Sequence, residues 1–286
     1  MLYANGEVSK TLSERFILHW KSVRPVPKLT IDFGDGRVVE RTITGNSIHY
    51  VLDSEGRVID GIPGLYGPKV FLRLINEAAD CARDQRLAGS PLLLQNWHAT
   101  KREQILNQWQ SDLNHAGVFA TQAGITGGPA LQDERGIETA LDSVERKLEA
   151  TSDDKTWIKI AALHAEDSRL DAGSRVLIVA KNPTALAAGR RAMSKGFVEN
   201  PLVKIVQNFE RSIAEDTVRD EYLFHQRIHA WLAEGKLPDG CPASDVDCLN
   251  ERVYADLFLT PSSDPWLGLL PADTYSALPN DGLCTK

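Results

Sequence analysis

The chain has 286 residues, of which 42% are hydrophobic and 25% charged, and a net charge of −7. This composition excludes disorder and fibrous repeats, and the acidic balance argues against a nucleic-acid surface, whose affinity comes largely from neutralising phosphates. No stretch approaches the run of about eighteen apolar residues that a membrane-spanning helix needs, so no membrane span is expected.

The opening Met1-Leu2-Tyr3-Ala4-Asn5-Gly6 carries neither the basic segment nor the apolar core of a secretory signal. The expected compartment is the cytoplasm if the chain is complete, and an exported one if a longer natural amino terminus is missing. After a helical turn or two over Ser9 to Arg15, Phe16-Ile17-Leu18-His19-Trp20 reads as a strand. Leu29 to Phe33 alternates with period two, Gly34-Asp35-Gly36 signals a turn, and Arg37 to Thr44 alternates again, which predicts a hairpin. A second hairpin follows: Ile48 to Leu52 and Arg57 to Gly61 flank Asp53-Ser54-Glu55-Gly56, where Asp bonds its own downstream backbone and Gly accepts positive φ. Pro68 then opens a helix over Lys69 to Arg86, with Val70, Phe71, Leu74, Ile75 and Ala78 on one apolar face.

Spacing, turn and closing helix in His49 to Ile75 together resemble the second half of a thioredoxin-like domain, over roughly residues 8 to 85. In that family Phe16–Trp20 would be the strand after the active-site helix. The resemblance implies a family whose redox cysteines stand upstream of Val8, and this chain has none there; Ser47-Ile48 replaces the cis-proline that faces them. Without a stabilised thiolate, thiol–disulfide exchange by that route is excluded. A sheet lacking its opening strand would also leave buried backbone groups unpaired. Truncation of a longer family member is the preferred explanation, with a different closure of the sheet, or a strand supplied by a second copy in a homo-oligomer, as alternatives.

The four cysteines, Cys81, Cys241, Cys248 and Cys284, form no CxxC pair and fit no zinc knuckle. Cys241 and Cys248 could close a small loop by disulfide in an oxidising compartment, or stand as free thiols. Cys81, on the Lys69 to Arg86 helix, is expected as a surface or half-buried thiol.

Gly89-Ser90-Pro91 marks a boundary, beyond which the periodicity is mostly helical. Helices are expected over Trp97 to Asn114, closed by Gly117, and over Ile137 to Leu148, with Gly124 to Pro129 as a linker between them. Trp157 to His164 is ambiguous between helix and strand. Asp171 caps Ala172 to Ala180, Asn182-Pro183 ends it, and Ala185 to Met193 and Pro201 to Ile213 continue the helical pattern.

The polar spacing of most interest is Glu221-Tyr222-Leu223-Phe224-His225-Gln226-Arg227-Ile228-His229. On a helix, residues four apart share a face, so Glu221, His225 and His229 could hold a divalent ion such as zinc with a position open for water. The motif is not H-E-x-x-H, and structural histidines bonded to neighbouring helices are the plainer reading. His19 and His49, if brought together across strands, would form a second candidate with Asp32 or Asp53. No G-x-S-x-G nucleophile elbow occurs. A short helix over Asn250 to Phe258 ends before Pro261, and a proline-punctuated tail follows whose Trp266, Leu267 and Leu269 are expected to dock onto the body.

The expected fold class is therefore α+β: an incomplete thioredoxin-like α/β domain over residues 1–88, a mainly helical domain over 89–260, and an extended tail over 261–286 packed on the body. The expected function is that of a redox-inactive thioredoxin-like scaffold or binding module. The alternative is a hydrolase, metal-dependent if Glu221, His225 and His229 bind an ion, acting on a small ester or lactone held in an interdomain cleft.

Overall fold

The computed structural model describes residues 2–24, 28–42, 46–84, 87, 89–117, 154–180 and 201–263. The expectations for Gly124 to Pro129, Ile137 to Leu148, Asn182-Pro183, Ala185 to Met193 and the tail bearing Trp266 lie outside these residues. Within them the chain is α+β, with a small β part followed by a helical part.

Asn5 caps α1 (Gly6–Arg15) by accepting the amides of Glu7 and Val8, each at 3.1 Å. Such a side-chain oxygen satisfies donors that a first helical turn leaves unpaired. The expected strand at Phe16–Trp20 does not form. This segment runs as irregular chain, with Ile17, Leu18 and Trp20 exposed, because no strand among the described residues lies beside it to take its backbone hydrogen bonds. Arg24, further along, is tethered to the Thr260 carbonyl and, at 2.8 Å, to Glu251, with its guanidinium 4.7 Å from the centre of the Tyr254 ring.

Both hairpins are present. β1 (Lys28–Asp32) pairs antiparallel with β2 (Val38–Thr42), and β3 (Ile48–Leu52) with β4 (Val58–Pro63), as two separate two-stranded sheets. In the second, the Asp53 carboxylate accepts the amides of Glu55 and Arg57, both at 2.9 Å, and Gly56 takes φ +81°. Asp60 stands opposite Val51, just before an irregularity where Leu52 pairs with Val58. Every residue of β4 is buried, so it is covered on both faces: Val58 joins Ile228, Leu232, Leu249 and Val253, while Ile62 joins Val8, Phe71, Leu74 and Ile75. Much of the second group comes from α2 (Pro68–Arg83), which starts at the expected proline and stops three residues before Arg86. Cys81 is buried on this helix beside Ile59 and Ala78, deeper than the surface or half-buried position expected, because its face continues the apolar stripe of Phe71, Leu74 and Ala78.

α3 (Pro91–His115) begins six residues earlier than the periodicity from Trp97 implies. Ser90 is its N-cap and Pro91 its first helical residue, so the Gly-Ser-Pro break is a helix start. The ambiguous segment resolves as α4 (Asp154–Leu163), and α5 (Ala172–Ala180) is capped by Asp171, which accepts the Ser174 amide at 2.8 Å. α6 (Pro201–Arg219) runs on through a π-helical turn, Asp220–His225, into α7 (Gln226–Glu234), which Gly235 ends in the left-handed conformation at φ +74°. α8 (Val246–Arg252) is followed by a second π-helical turn, Val253–Leu257, and Cys241 and Cys248 are bridged with their Cα atoms 6.2 Å apart. Trp109 and Trp157 stack with ring centres 4.8 Å apart and, with Ile105, Ile160 and Tyr222, fasten α3, α4 and the first π turn together.

Candidate functional site

Asp60 is a carboxylate in a strand whose neighbours are Ile59 and Ile62, and it is 2% exposed. Burying it unpaired would cost several kcal/mol. Its partners arrive from α7 and the π turn. His225 Nε2 lies 3.1 Å from Asp60 Oδ1 and 3.3 Å from Oδ2, and His229 Nε2 lies 4.0 Å from Oδ1. Asp60, His225 and His229 each offer an atom within 4.8 Å of the other two, and they are the one such cluster of metal-ligating side chains among the described residues.

The sequence singles out Glu221, His225 and His229, and the structure does gather them, but not as three equivalent ligands. Glu221 Oε2 stands 3.0 Å from His225 Nδ1, on the ring edge turned away from Asp60. The pairing lies within the π turn: the Gln226 amide reaches back five residues to the Glu221 carbonyl, widening the helix where Glu221, Tyr222 and His225 are buried. Single π turns of this kind recur at functional sites. His229 is handled in parallel, its Nδ1 lying 2.9 Å from Nδ1 of His98, a fully buried residue of α3. Trp97 meets both rings edge-on, at 4.8 Å from His98 and 5.8 Å from His229, and Tyr66 meets His225 in the same way at 6.4 Å. Both imidazoles are thus anchored through Nδ1 and present Nε2 toward one carboxylate.

Electrostatics follow from these contacts. Burial pushes the Asp60 carboxyl up, but His225 and then His229 outweigh it and hold Asp60 well below the usual carboxylate range. Burial pulls His225 down, yet Asp60 and Glu221 raise it to about 10. His229 is driven well below its ordinary value by burial, with His225 and His98 adding repulsion, and burial lowers His98 to about 4. The cluster therefore combines one imidazolium held between two carboxylates with two neutral imidazoles.

Asp60, Glu221, His225 and His229 line a cavity of about 580 Å3 to which α2, α3, α6, α7 and the turn after α4 contribute, with Arg73, Trp97, Lys101 and His164 also on its wall. Lys101 is taken by Glu77 at 2.8 Å.

Donor type and spacing suit a divalent transition metal. Nitrogen and oxygen ligands at about 2.0–2.1 Å from a tetrahedral zinc stand about 3.3 Å from each other. The Asp60 separations of 3.1 and 4.0 Å bracket that value. Histidines anchored through Nδ1 by a carboxylate or another acceptor are the usual outer shell of such ligands. For His229 to offer Nε2, its Nδ1–H must donate to His98.

Sequence reading missed Asp60 and His98. Asp60 had a signal, a lone charge inside the apolar run Val58 to Ile62; His98 had only its place beside Trp97. The second grouping suggested by sequence does not assemble. His19 lies in the exposed segment, His49 Nε2 is 2.5 Å from the Tyr3 hydroxyl, and Asp53 is occupied by its own turn and by Arg57. Compared with family models, curated proteins and solved structures, the chain matches none.

Proposed function

We propose that Asp60, His225 and His229 bind a divalent transition-metal ion, with Glu221 and His98 orienting the two imidazoles, and that the chain is a metal-dependent hydrolase of small esters or lactones. The observation that carries this reading is the convergence of two imidazole Nε2 atoms on the Asp60 carboxylate while each Nδ1 is held by another side chain. A purely structural cluster would not need His229 Nε2 at 4.0 Å from Asp60 Oδ1, which is too long for a hydrogen bond and suited to a shared ion.

Three protein ligands leave coordination positions toward the cavity, and an ion there supplies Lewis acidity for attack on an acyl carbon. The protein supplies the rest. β4 and α7 hold the ligands on regular elements, Trp97 keeps the histidine edge dry, and the cavity admits a small molecule. In this reading the thioredoxin-like part, having no cysteine pair, serves as the wall that carries Asp60.

The test is metal analysis of purified protein, followed by turnover assays on a panel of nitrophenyl esters and lactones. One ion per chain and turnover lost in Asp60→Asn, His225→Ala and His229→Ala are expected. Protein that takes up no ion and leaves every substrate at background would refute the reading and favour the redox-inactive scaffold.

A further inference from the structure

The cavity wall carries a second polar group, outside the proposed ligands, that sequence reading passes over. His164 follows α4, and its Nε2 lies 2.6 Å from Asp112 Oδ2. Asp112 is 3% exposed on α3 and also accepts the Tyr222 hydroxyl at 2.5 Å and the Gln108 amide at 2.8 Å. Three donors fix the carboxylate, and the carboxylate fixes the imidazole ring. What remains for a ligand is Nδ1, whose nearest carboxylate oxygen, on Asp167, is 3.9 Å away and outside hydrogen-bond range.

Arg73 of α2 shares this wall. Its guanidinium lies 3.6 Å from Glu77 and 3.7 Å from Glu221, close enough for attraction but too far for hydrogen bonds, and the side chain is 51% exposed. A planar guanidinium gains most when a carboxylate or phosphate meets two of its N–H groups at about 2.8 Å. The proton affinity of His164 is raised first by its bond to the Asp112 carboxylate, with Asp167 assisting, while burial and Arg73 oppose. His164 Nδ1 and the Arg73 guanidinium thus border one cavity, neither with a carboxylate within hydrogen-bond range, and a divalent ion at Asp60 would add positive charge to it.

We propose that His164 and Arg73 form an oxyanion anchor, so that the substrate is a small ester or lactone bearing a carboxylate or phosphate, whose acyl group reaches Asp60, His225 and His229. The anchor rests on the metal reading for its catalytic meaning, but its binding is measured separately. His164 and Arg73 are here positioning residues that select an anionic substrate.

The experiment loads the full chain with cobalt(II) and titrates it with acetate and, separately, with inorganic phosphate at pH 7, following the visible spectrum of the metal and the heat of binding. One of the two anions should perturb the spectrum, acetate identifying a carboxylate substrate and phosphate a phosphorylated one. That anion should bind at least about tenfold more weakly to Arg73→Met and to His164→Phe, the loss expected for one charge-assisted hydrogen bond. Cobalt uptake by each variant reports that it is folded, and His164→Gln, which keeps a donor, should recover part of the affinity. Cobalt uptake without binding of either anion, or with equal binding by the wild type and both variants, would overturn the anchor. Absence of cobalt uptake would overturn the metal reading alone; the heats of anion binding to the metal-free wild type and variants would then decide the anchor, equal or absent binding overturning it.

Discussion

Loading the metal-free protein with zinc at pH 8 should release close to one proton per ion, and the proton should come from His225. Its Nδ1 lies 3.0 Å from Glu221 Oε2 and its Nε2 3.1 Å from Asp60 Oδ1. An ionised carboxylate only accepts hydrogen bonds, so both ring nitrogens must donate and the empty site holds an imidazolium. Although burial opposes the charge, Asp60 and Glu221 prevail and the pKa stands at about 10. An unperturbed imidazole, with a pKa of about 6.5, would have only about 0.03 of a proton to lose at pH 8. The upward shift corresponds to roughly 5 kcal/mol of extra hold on the proton, which zinc must overcome, so affinity should rise about tenfold for each pH unit up to about 10. Asp60 is already ionised and His229 already neutral, so neither adds a proton. Calorimetric titration in two buffers of different ionisation enthalpy counts the protons directly. Glu221→Gln keeps an acceptor for Nδ1–H but removes a charge, and should move the affinity profile to lower pH. Stoichiometric zinc binding at pH 8 with no proton released would refute the reasoning about His225.

Asp112→Ala removes a buried carboxylate that serves Tyr222, His164 and Gln108, and should cost about 3 kcal/mol in urea unfolding by leaving those donors unpaired. The His164 proton affinity is raised in the folded chain, so the stability it contributes is complete below its ordinary pKa near 6.5 and is lost as pH rises through the folded value; the lowered Asp112 contributes above about pH 4 and is lost on acidification. Asp112→Asn should flatten both limbs of that profile, and an unchanged profile would show that the pair does not titrate as described. Gly64→Ala should destabilise by about 2–4 kcal/mol, because φ is +77° and the new methyl would lie 2.1 Å from Asp220 Oδ2, displacing the carboxylate that accepts the Leu65 amide; thermal unfolding of the variant tests this. Cys81 is buried with its thiol pushed up to about 11, chiefly by burial and then by Asp60, so in a Cys284→Ser background a disulfide reagent should label no thiol in the native protein and one after denaturation.

How far the residues announced the structure depended on the range of the physics involved. Hairpin turns and caps act within a few residues, and Asp53-Ser54-Glu55-Gly56, Pro68 and Asp171 behave as their local chemistry demands. The Phe16 to Trp20 strand failed because strand formation needs a partner, and composition alone does not provide one. Helical spacing was enough to bring His225 and His229 to notice. It could not show that Asp60, 165 positions away, completes the group, nor that Glu221 belongs behind His225 rather than beside it. His164 and Asp112 each look ordinary in the sequence, and only the packing of α3 against the turn after α4 makes them a pair.

The π turn at Asp220–His225 amounts to one surplus residue accommodated in an otherwise regular rod. A helix advances about 100° per residue, so everything downstream of such an insertion is rotated by that amount relative to the regular course. Excising a single non-ligand residue, such as Leu223, would let α6 and α7 fuse into an uninterrupted spiral while swinging either the histidines or the Trp109 contact of Tyr222 out of place. Wider backbone hydrogen bonding at this one spot is what allows a single rod to serve two partners in different directions, a tryptophan-lined core on one side and the Asp60 carboxylate on the other.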